Sequence, residues 1–83
     1  PPIGARRTPL SRFEAKLVRA ADDFVLRHHD AAGAELAVEA ALVFAERGHV
    51  SEARLRLDAI VARWPGEPSA HKAAAMIARL PGR

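Results

Sequence analysis

The sequence predicts an all-α domain, a bundle of four antiparallel helices. Three observations carry that prediction. Apolar residues recur at three- and four-residue steps in four separate stretches, and Gly and Pro punctuate the gaps between them. No segment alternates β-branched with polar residues as a strand would. Composition agrees: 19 of the 83 residues are alanine, the best helix former, and the aromatics are only Phe13, Phe24, Phe44 and Trp64. Alanine buries little area, so the helices should form readily and pack closely around a thin core of Leu, Val and Ile. A chain of this length makes one small domain, modestly stable unless it pairs with something.

Residues 1–7, PPIGARR, lack periodicity and read as a flexible basic arm ahead of a helical domain over residues 8–83. The first helix is expected to open at Thr8, with Pro9 at its first position, where a missing N–H costs nothing. Ser11 and Glu14, at capping-box spacing, offer a second start. Its apolar face reads as Leu10, Phe13, Leu17, Ala20 and Phe24, widened by Val18 and Val25, and its end as His28-His29-Asp30. Ala31-Ala32-Gly33 reads as the link to a second helix, which runs to about Arg47 with Gly48 as the left-handed residue beyond it. Val50 and Ser51 then stand as a hydrophobic residue ahead of an N-cap, with Glu52 in the first turn. The third helix aligns Ala53, Leu57, Ile60 and Trp64, with Leu55 and Val61 beside them, and stops at Pro65-Gly66. The fourth starts at Pro68 or Ser69 and aligns Ala70, Ala73, Ile77 and Leu80, with Met76 adjacent, before Pro81-Gly82.

The composition also narrows the chemistry. There is no cysteine, which excludes disulfides, thiolate metal sites and thiol nucleophiles. The four histidines show neither a His-x3-His spacing nor an HExxH pattern. Ser11, Ser51 and Ser69 read as helix caps, the carboxylates of adjacent Asp22 and Asp23 splay apart, and the isolated glycines make no phosphate loop. No catalytic residue, metal or cofactor is expected, and the chain is read as a non-enzyme. No apolar run approaches the roughly 20 residues that span a bilayer. The chain begins at Pro1-Pro2 and its only methionine is Met76, so it reads as a piece of a larger protein whose anchor, if any, lies elsewhere. Arg-heavy, Lys-poor usage suggests a GC-rich, bacterial source. A cytoplasmic location is expected, with the bacterial envelope or periplasm as the alternative.

The strongest pattern lies over residues 34–67. AELAVEAALVFAER and SEARLRLDAIVARW are hinged at Gly48-His49-Val50 and stopped at Pro65-Gly66, and a lone pair of such helices leaves apolar surface for another pair to cover. Ala41 and Ala53 stand where two helices of a repeat cross, Phe44 at an aromatic position, Gly48 at the turn, Pro65 at the terminal proline, and Ala75 one repeat after Ala41. In these residues the chain resembles the tetratricopeptide repeat (TPR) family, over one full repeat and half of another. Ala37 and Ala40 replace the family's early bulky residues, Leu57 its second aromatic and Ile60 its late small residue. The resemblance implies a right-handed helical-repeat bundle and a non-catalytic adaptor or scaffold that binds a protein. It also implies that Glu35, Val38, Glu39, Leu42 and Glu46 face a concave groove.

Independently, steps of three and four place those five residues on one helical stripe. Two apolar residues beside three carboxylates suit a basic, amphipathic peptide or helix. Two other coverings are open: the first helix folded over Val38 and Leu42, or a second copy in a homodimer. The net charge of +3 hides basic ends around an acidic middle. Arg12, Lys16 and Arg19 form a secondary basic face, to which DNA or an anionic surface is the alternative partner. Nucleic acid is disfavoured because no aromatic is interleaved for base stacking.

Overall fold

The computed structural model describes residues 6–81, so of the expected arm only Arg6 and Arg7, both exposed, fall among the described residues. These fold into four helices, α1 (Arg12–Arg27), α2 (Ala31–Glu46), α3 (Val50–Arg63) and α4 (Pro68–Arg79), with no strand among them. The fold is all-α.

Ser11, not Thr8, opens α1. Its Oγ accepts the Glu14 N–H at 3.0 Å while Glu14 Oε1 accepts the Ser11 N–H at 2.8 Å, so two otherwise orphaned donors are satisfied reciprocally. Thr8 lies ahead of the helix and donates its backbone N–H to the Arg47 carbonyl at 2.8 Å, which fastens the incoming segment to the end of α2. At the other end His28 caps α1 and stacks on Phe24, ring centroids 3.9 Å apart.

Ala31-Ala32-Gly33 is not a link but the first turn of α2. Asp30 is the N-cap, and its Oδ1 accepts the Gly33 N–H at 3.2 Å. That carboxylate outweighs the weak helix propensity of one glycine. Gly33 is also needed for space, because a Cβ there would collide with the backbone carbonyl of His28. Propensity alone favours Gly33→Ala by ~1 kcal/mol, whereas forcing an atom into an occupied site costs about 1–3 kcal/mol or more. Gly33→Ala is therefore expected to lower the urea midpoint, and a raised midpoint would mean that the α1–α2 junction moves aside freely.

The turn into α3 is tighter than the sequence suggests. Gly48 adopts φ +80°, and the His49 N–H closes back onto the Phe44 carbonyl at 2.9 Å. The chain re-enters a helix at once, so His49 rather than Ser51 is the N-cap and Ser51 lies exposed in the first turn. Gly66, at φ +87°, turns the chain after Trp64, and Pro68 starts α4.

α2 is the hub, packed against α1, α3 and α4, while α3 also packs on α4. Ala34, Val38, Ala41 and Ala45 of α2 meet Ala53, Leu57, Ile60, Trp64, Ala73, Met76 and Leu80 in the larger apolar cluster. The α3 stripe read from the sequence is buried in full; in α4, Met76 enters the core and Ile77 is only half-buried. A second cluster joins Val18 and Ala21 of α1 to Ala40 of α2, with Leu36 and Val43 packed against it. α2 thus buries two faces rather than one and keeps the stripe of Glu35, Glu39 and Glu46 turned outward.

α1 departs most from the expected pattern. It docks through Val18, Ala21 and Val25, leaving Phe13 73% and Leu17 41% exposed and Ala20 on the surface. Nor does it roof Val38 and Leu42, since it lies over Ala40 on another side of α2.

Candidate partner-binding surface

The five residues singled out on α2 divide once the helices are packed. Glu35, Glu39 and Glu46 are exposed, and Leu42 is half-buried against the larger cluster. Val38 is only 2% exposed and belongs to the core, so it is not the open apolar anchor the sequence suggested. The cause is the packing of α3 and α4 against α2, since their apolar residues share the larger cluster with Val38. One residue further on, ~100° around the helix, Glu39 turns outward.

Between α2 and α4 runs a cleft of about 270 Å³ lined by Glu35, Val38, Glu39, Pro68, Ser69 and Lys72. Val38 contributes its apolar side to the cleft rather than a protruding anchor. Glu35 and Glu39 meet Lys72 across the cleft without forming an ion pair. Leu42 and Glu46 continue the α2 surface beyond the lining. Ser69 and Lys72 were missed in the sequence, although they follow Glu35 and Val38 by the 34-residue period of the proposed repeat.

Charge pairing elsewhere decides which groups stay available. Arg47 grips Glu14 through two parallel bonds, Nε to Oε1 and Nη2 to Oε2, each at 2.9 Å. That guanidinium, helped by the Ser11 N–H, holds the Glu14 carboxyl below its ordinary range. Arg56 bridges Asp22 of α1 and Glu52 of its own helix, both at 2.9 Å, with its guanidinium 4.8 Å from the Phe44 ring centroid. Among the described residues no salt bridge engages Glu35, Glu39 or Glu46, nor Arg12, Lys16 or Arg19, which are all exposed on successive turns of α1.

The histidines lie in local contacts or in solvent. His29 contacts Arg63 and its carbonyl accepts the Trp64 Nε1–H at 2.7 Å, His49 Nε2 lies 2.6 Å from the Thr8 carbonyl, and His71 is exposed. Among the described residues no three of His, Asp and Glu converge on a point where a metal could sit. No helix among them is long and apolar enough to cross a membrane. No protein-family model, curated protein or solved structure matches the chain.

Proposed function

We propose that this chain is a non-catalytic protein-interaction domain of TPR-like helical-repeat type, an adaptor or scaffold within a larger bacterial protein. Its α2–α4 cleft takes a basic, amphipathic peptide or helix of a partner. The observation that carries this reading is the α2 wall itself, where Glu35 and Glu39 stand exposed and form no salt bridge among the described residues, with half-buried Leu42 further along the same helix. The order of packing supports the repeat. α2 and α4, the first helices of successive pairs, lie side by side in addition to the contacts between consecutive helices. In such a site apolar side chains supply affinity, while the carboxylates set register and speed of encounter.

Isothermal titration with two amphipathic probe peptides, one of Leu and Lys and one of Leu and Glu, tests the reading. The Lys peptide is expected to bind and the Glu peptide not. Glu35→Lys with Glu39→Lys should weaken the Lys peptide by about tenfold or more, the scale of losing close charge pairs. Equal affinity for the two peptides, or no change in the double variant, would overturn it.

A further inference from the structure

α1 leaves a helix-pairing ridge uncovered. Phe13, Leu17, Ala20 and Phe24 follow one another at steps of four, three and four, the seam along which two helices interlock. α2 does not take this seam, because it docks on Val18, Ala21 and Val25, each one residue further on. Phe13, Leu17 and Ala20 are consequently exposed, and Phe24 is half-buried with its ring against His28. The ridge is narrow, unlike the broad apolar face that settles into a lipid surface, and it matches the width of another helix.

The flanks of the ridge specify which helix. Lys16 precedes Leu17 and Asp23 precedes Phe24, so two opposite charges occupy the same flanking position seven residues apart. Both are exposed, and neither forms a salt bridge among the described residues. The other acids of α1 are engaged, Glu14 by Arg47 and Asp22 by Arg56. Antiparallel pairing of two such ridges about Leu17 and Ala20 sets Phe13 against the second copy's Phe24 and Leu17 against its Ala20. Lys16 then faces Asp23 of the second copy, twice by symmetry. Parallel pairing sets Lys16 beside Ala21 and Asp23 beside His28, so Lys16 gains no ion pair. We infer that the α1 ridge is covered by α1 of a second copy of this chain, antiparallel across a two-fold axis.

Sedimentation equilibrium of the whole chain tests this, over roughly 10 µM to 1 mM because an interface of one short helix pair is weak. The mass is expected to rise from one copy to two. Lys16→Asp should raise the dissociation constant about tenfold or more by setting like charges face to face, and Lys16→Asp with Asp23→Lys should restore it to within about threefold. Both positions are exposed, and circular dichroism checks that each variant keeps its helices. A one-copy mass throughout overturns the inference, as does a dimer that is indifferent to Lys16→Asp or is not restored by the double exchange. A single-copy species that binds phosphatidylglycerol vesicles would also overturn it and assign the ridge to lipid. The readout is independent of the peptide titration, so either reading can fail alone.

Discussion

Trp64→Ala is expected to lower the free energy of unfolding by about 3–5 kcal/mol, the range for removing a large aromatic from a core. Trp64 is 7% exposed at the end of α3 and joins the larger cluster with α2 and α4. It does more than fill space. Its Nε1–H is donated to the His29 carbonyl, which ties α3 to the α1–α2 link, and Arg63 places its guanidinium 5.1 Å from the ring centroid. Trp64→Phe separates the two roles. It keeps most of the apolar volume but leaves the carbonyl without its donor, a loss of about 1–3 kcal/mol. Urea denaturation of both variants reads the difference, and equal losses would show that the hydrogen bond matters more than the ring.

Leu57→Ala is expected to remove about 2–5 kcal/mol, towards the upper end. Leu57 is fully buried, and the cluster around it contains Ala34, Ala41, Ala45, Ala53 and Ala73. Alanine has no rotamer with which to swing into a void, so the cavity stays largely empty and its full cost is felt. Leu57→Met, which conserves volume, should cost less than about 1.5 kcal/mol. A loss below ~1 kcal/mol for Leu57→Ala would mean that the helices close the gap by moving together.

What could be read in the sequence was whatever depends on a few neighbouring residues. Ser11 with Glu14, Gly48 and Pro65-Gly66 act through local hydrogen bonds or backbone preference, and they mark the true ends of helices. The stripe of Ala53, Leu57, Ile60 and Trp64 was also clear, because α3 offers no rival apolar face of comparable length. α1 offers two, one residue apart. Phe13-Leu17-Ala20-Phe24 is the bulkier, but the alanine-lined side of α2 accepts Val18-Ala21-Val25, a choice set by the shape of a distant helix. The candidate site divided for the same reason. Periodicity placed Glu35, Glu39 and Glu46 outward, while the burial of Val38 depends on α3 and α4 packing against α2, and the second wall at Ser69 and Lys72 on α4 lying beside it.

Three neighbours enclose most of α2 and leave Ala31, Ala32, Glu35, Glu39 and Glu46 as its exposed positions. Substitutions at such sites usually shift stability by no more than about 0.5 kcal/mol, unlike those in a core. The helix therefore separates folding from contact. Its inward positions set the stability of the domain, and its few outward ones can be exchanged at little cost to the fold.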